Sequence, residues 1–194
     1  MRPDLDEVRV LLAETFGDQK FFGQLRLDPY YRSTASRHPD LKPFFDSLVE
    51  EYPNRRISLV HGDWSPKNFL VHGDTVMAID FEVIHFGDPA FDCAFFLNHL
   101  LLKSFHLPVR TGDFARLANV YWRELTGELP LDTVELEHRT LRHLGGLLLA
   151  RIDGKSPVEY LKDQAVRQRV RGAARRLILN RPPSIQEAFE RLKQ

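Results

Sequence analysis

The chain has 194 residues, 43% of them hydrophobic and 11% aromatic, which is enough to bury a core as one large domain. Its 27 basic and 27 acidic residues cancel to a formal net charge of zero, leaving no global field to draw it to nucleic acid or an anionic membrane. The lone cysteine, Cys93, lies in the apolar run AFDCAFFL and excludes a disulfide framework. With no apolar leader in MRPDLDEVRV, and no run near the roughly 18 apolar residues of a membrane span, a cytoplasmic protein is expected.

Residues 6–16 carry Val8, Leu11, Leu12 and Thr15 at helical spacing, and Gly17 closes the run. Residues 18–43, punctuated by Gly23, Pro29, Pro39 and Pro43, are expected to hold only short helices or turns. PFFDSLVEE, residues 43–51, is an amphipathic helix that Pro53 and Asn54 end. The period then changes: Ile57–Val60, Asn68–Val71 and Thr75–Asp80 read as short strands, the last two joined by the turn His72-Gly73-Asp74. From Pro89 onward the pattern is helical over 89–105, 112–127, 133–152 and 157–179. Ser156, Pro157 and Glu159 have the spacing of a capping box for the last of these, and Asp88-Pro89 repeats the cap-then-proline pattern for the first. Asp92 stands one turn into an apolar helix, where a carboxylate needs a hydrogen-bonding partner.

The chemistry concentrates in His61–Leu70, HGDWSPKNFL. An Asp after a strand, in a loop stiffened by Pro66, is placed to accept a proton from a substrate hydroxyl; that residue is Asp63. Asn68 can turn its carbonyl oxygen into the same cleft, and Asp80, after the hairpin, adds a carboxylate. Oxygen donors of this kind suit Mg²⁺ together with phosphate oxygens and water. Asp, four residues, Asn, a short hairpin and then Asp-Phe is the kinase order of base and magnesium ligands.

HGD stands where protein kinases have HRD, and DFE where they have DFG. With the later GDPAFDCA and ARIDGKSPVEYL, residues 57–165 resemble the aminoglycoside phosphotransferase and choline kinase family of small-molecule kinases. The resemblance implies a mainly α (α+β) fold, a protein-kinase-like C-terminal lobe whose small β hairpin carries the catalytic and metal-binding loops. It implies Asp63 as catalytic base, His61 as the residue that orders the loop, and Asn68 and Asp80 as ligands of Mg²⁺ and its bound ATP or GTP. Asp92 matches the aspartate that braces the catalytic loop, and Glu82 the acidic residue that stands in or just beyond the metal's ligand shell. The implied reaction moves the γ-phosphate of ATP or GTP to a hydroxyl of a small molecule.

No Gly-rich strand-turn-strand or β-strand lysine precedes Asp63, so the N-terminal β lobe of such a kinase is expected to be absent. The chain then divides into a helical lead-in (1–56), a catalytic and metal-binding segment (57–92) and a helical subdomain (93–194). An apolar face left by that lobe is expected to be covered in a homodimer or by a separate N-lobe partner, and the chain alone is expected to show little turnover. Two other readings stay open: a non-catalytic binding or regulatory module derived from the fold, and a His/Asp metal hydrolase using His61, Asp63, His72 and Asp74. His85, His99, His106, His138 and His143 read as structural, Trp64 as packing under the loop, and the basic run 167–176 as a solvated or acid-paired helix face. Helices after residue 110 are expected to line the acceptor pocket, where Asp113, Glu124, Glu135 or Glu137 would be the acids to meet an amine.

Overall fold

The computed structural model describes residues 5–128 and 131–191. The chain ends, residues 1–4 and 192–194, and the link at 129–130 lie outside the described residues, so the expected 1–194 domain is described between them. Helices α1 (Leu5–Phe16), α2 (Lys20–Phe22), α3 (Ser33–Arg37) and α4 (Lys42–Glu51) precede strand β1 (Ser58–Val60). Strands β2 (Phe69–His72), β3 (Thr75–Ala78) and β4 (His85–Gly87) follow, then α5 (Ala90–His106), α6 (Thr111–Glu128), α7 (Thr133–Asp153), α8 (Gln164–Leu179) and α9 (Ile185–Glu190). The fold is mostly helical, and none of the described helices is long and apolar enough to cross a membrane.

Helix α5 is apolar on nearly every side, so it can be stable only when surrounded. It packs against α7, and α7 against α8, burying Phe91, Phe95, Leu97, Leu101, Leu144, Leu147 and Leu148. Gly146 permits a close approach in mid-helix, since a Cβ there would lie 3.1 Å from Leu48 Cδ1. Cys93 is buried in this core, and burial pushes its thiol up to about 12. Buried His85 and His143 each share a 2.8 Å hydrogen bond with a tyrosine, Tyr52 and Tyr31 respectively. Burial holds both rings near pKa 4, in their neutral form.

Two expectations of element placement fail. Residues 20–37 form one continuous helical stretch, of which Gly23–Arg32 is π-helical with Pro29 inside it. A π turn is wider than an α turn and tolerates the missing proline N–H, so the punctuation does not break the stretch. The segment 157–163 is irregular, with a turn at 159–160, and α8 starts instead at Gln164, where the Asp163 carboxylate accepts from Ala165 and Val166 N–H. The capping-box letters lost because Arg151 takes the Ser156 carbonyl and Val158 N–H is held by Arg151 O, 2.9 Å away. The basic run lies on α8 as a face paired with acids in part: Arg171 binds Asp153 and Arg175 binds Asp40, while Arg167 donates to the Leu161 and Ile152 carbonyls.

Candidate active site

The loop from His61 to Asn68 hangs between two antiparallel pairs. Strand β1 pairs with β4, Val60 opposite His85, and β2 pairs with β3 in a hairpin, Phe69 opposite Ala78. Three anchors fix the loop. The Asp92 carboxylate accepts from His61 N at 2.6 Å and Gly62 N at 2.9 Å, which are the partners its position in an apolar helix demanded. His61 Nδ1 accepts from Asp63 N at 3.2 Å, so its Nε2 carries the proton and donates to Ile79 O at 2.9 Å, tying the loop to the end of β3. Gly62 has φ +78°, and a Cβ on it would stand 2.7 Å from Val83 Cγ2; both facts require glycine. Trp64 packs edge-on against Phe69 and His61.

Asn68 Nδ2 donates to Asp63 O at 2.9 Å, which settles the amide's orientation and leaves Oδ1 without a protein partner among the described residues. Ile79 N donates to Asn68 O at 3.0 Å, continuing the hairpin ladder one step beyond the strands. That bond sets Asn68 beside the residue before Asp80. Asp80 itself is exposed, makes no ion pair among the described residues, and sits at φ +71°, the only non-glycine there with positive φ. Holding an aspartate in the left-handed region costs energy, and such strain concentrates at functional sites. Glu82 is also exposed, two residues on. A sequence model of the APH, or phosphotransferase enzyme, family matches residues 13–127, more than half of the chain. The chain belongs to the phosphotransferase enzyme family. No match was found among curated proteins.

The phosphotransferase loop also uses a residue that sequence reasoning passed over. Arg26, from the π-helical stretch, donates through Nε to Gly62 O at 2.6 Å and brings Nη2 within 3.4 Å of Asp63 Oδ2. Lys67 Nζ lies 3.0 Å from the same oxygen, so two cations flank the buried Asp63 carboxylate. An arginine 36 residues before Gly62, in a segment read as turns, offers no local signal of this contact. His72 and Asp74, by contrast, are exposed at the closed end of the hairpin, a strand length of roughly 13 Å from Asp80. Among the described residues no three His, Cys, Asp or Glu side chains converge, so the two HGD triplets do not form the His/Asp metal centre.

Burial raises the Asp92 carboxyl from its ordinary 3.8 to about 6, against the pull of the His61 and Gly62 N–H groups. The residue is only partly buried, but its carboxylate lies under the loop backbone. The folded chain thus holds this proton more tightly than the unfolded chain. Asp92's contribution to stability is therefore greatest below pH 4 and falls as pH rises to about 6, by up to about 3 kcal/mol. Urea unfolding of the wild type and Asp92→Asn between pH 4 and 7 checks this. The wild-type advantage should shrink as pH rises, and a difference independent of pH would contradict it.

Proposed function

We propose that the chain is the helical catalytic lobe of a magnesium-dependent kinase that moves the γ-phosphate of ATP or GTP to a hydroxyl of a small molecule in the cytoplasm. The observation that carries this reading is the union, at the open end of one hairpin, of a free Asn68 Oδ1, an unpaired Asp80 carboxylate and the Asp63 loop. Asn68 and Asp80 offer hard oxygen donors that fit Mg²⁺ held with nucleotide phosphates. When bound, the ion neutralises phosphate charge and orients the transferring group. Asp63 accepts the proton of the acceptor hydroxyl, with Arg26 and the Asn68 amide holding its backbone and His61 tying the loop to β3. In this reading Glu82, exposed just past Asp80, adds negative charge beside the metal.

The hairpin supports a further part of the reading. Leu70 and its cross-strand partner Met77 on one face, and Val71 and its partner Val76 on the other, are all more than half exposed, and Phe81 is 49% exposed. Exposed apolar side chains on both faces of a two-stranded hairpin suit the adenine ring on one side and a covering lobe or a second copy of the chain on the other.

Isothermal titration with MgATP and MgGTP, each repeated without magnesium, tests the proposal. Magnesium-dependent binding is expected, and Asp63→Asn should keep it, because that side chain serves the acceptor and not the nucleotide. Absence of binding at millimolar nucleotide, or binding indifferent to magnesium, would overturn it.

A further inference from the structure

Beside the catalytic loop lies a cleft of about 1110 Å³. It runs from Pro66 and Lys67 past α5 and α6 to the irregular segment 155–160, and Lys67 reaches the Asp63 carboxylate at 3.0 Å. Asp63 is not among the lining residues, and Lys67 links the cleft to the proposed base. Its walls are apolar at Phe96, Leu100, Phe114 and Val158. Its charges are Lys67, Lys103, Arg151 and Lys155 against a single carboxylate, the exposed Glu159.

Three other arginines that reach into the fold are matched by carboxylates. Arg139 pairs with Asp88 at 2.9 Å, Arg142 with Glu51 at 2.7 Å and Arg171 with Asp153 at 2.8 Å. Arg151, half-buried at the end of α7, donates to Ser156 O and Tyr30 Oη, has no carboxylate partner among the described residues, and keeps a buried Nε with no hydrogen bond. Lys103 Nζ lies 4.2 Å from the Tyr160 ring centroid and likewise has no carboxylate partner among the described residues. The neutral state of His99 agrees with this field: burial first, and then the Arg151 charge, lowers its pKa to about 4. A buried donor and uncompensated cations around a roomy cleft are costly unless a ligand answers them.

The acids that would have suited an amine are spent elsewhere. Asp113 pairs with Arg110, Glu124 with Arg123, Glu135 with Arg55 and Arg139, and Glu137 accepts from Ile185 N–H. None of the four lines the cleft.

We propose that this cleft is the acceptor site and that it takes a hydroxyl-bearing small molecule with an apolar body and an anionic group, a carboxylate or a phosphate, held by Arg151 and Lys103. The proposal rests on the phosphotransferase reading above. In the transfer step the acceptor oxygen forms a bond to the γ-phosphorus as the bond from that phosphorus to the β,γ-bridging oxygen breaks. The hydroxyl proton passes to Asp63, and the nucleoside diphosphate leaves with the bonding electrons. A polyamine acceptor would meet the same cations as repulsion.

The test titrates the chain with four probes of similar size: 3-phenyllactate, phenyl phosphate, 2-amino-1-phenylethanol and 1-phenyl-1,2-ethanediol. MgATP is titrated separately into the wild type and Asp80→Ala. The two anions should bind at least tenfold tighter than the amine and the diol, the tighter anion identifying the carboxylate or phosphate source. Arg151→Met and Lys103→Met should each weaken anion binding about tenfold. Lys103 is the safeguard should Arg151→Met fail to fold, since its ammonium makes no hydrogen bond among the described residues. If MgATP binds in an Asp80-dependent way but the amine binds as well as the anions, or Lys103→Met changes nothing, the anionic-acceptor proposal is overturned and the kinase reading stands. If MgATP binding is absent, the kinase reading falls, and with it the cleft's role as an acceptor site.

Discussion

Asp80→Gly is expected to cut magnesium-dependent nucleotide affinity by on the order of 100-fold, about 2.7 kcal/mol, while leaving the fold as stable as before or slightly more so. The two effects have opposite physical origins. The Asp80 carboxylate is exposed and pairs with nothing among the described residues, so removing it breaks none of the contacts seen there. Its backbone, at φ +71°, is one that an L side chain resists by roughly 1 kcal/mol and glycine does not. Glycine's greater freedom in the unfolded chain offsets part of that relief, so the net gain lies between zero and about 1 kcal/mol. Titration of MgATP and thermal unfolding on the same sample decide the matter. A clear loss of stability would mean that Asp80 has a structural partner, and unchanged affinity would remove it from the metal site.

Arg139→Met is expected to cost about 3–5 kcal/mol, because it leaves the Asp88 carboxylate buried and uncompensated. Asp88 is 1% exposed, its Oδ2 pairs with Arg139 Nε at 2.9 Å, and its Oδ1 accepts from Ala90 N–H at 3.0 Å at the start of α5. The loss equals a large share of the 5–15 kcal/mol by which domains are usually stable, and should lower the melting temperature by on the order of 10 °C. Adding Asp88→Asn should recover much of it, since the amide can keep the cap without a charge. A shift of only a degree or two for Arg139→Met would show that water reaches Asp88.

These two residues divide neatly in how far the sequence exposed them. Asp80 was legible because the order of Asp63, Asn68 and Asp80 across a short hairpin is carried by neighbouring residues. Asp88 was legible only as a cap for α5; its second task depends on Arg139, from a different helix, and no local pattern points to it. Asp92 is intermediate: a carboxylate in an apolar helix announces that it needs a partner, and the family resemblance says which one. The 20–37 stretch shows the reverse failure, in which a strong local signal, Pro29, is overridden because Phe22, Leu27, Tyr30 and Tyr31 gain more by burial in the core than the chain loses at one unmade hydrogen bond.

The sequence by itself determined the helical class, the hairpin and the residues that could serve as base and magnesium ligands, because period, turn chemistry and motif spacing are properties of neighbours along the chain. Only the tertiary structure decided which cations meet Asp63, which acids are already engaged by arginines, and which charges stay uncompensated around the cleft. Those are relations between side chains far apart in sequence, and electrostatic matching is settled by distance and burial in space.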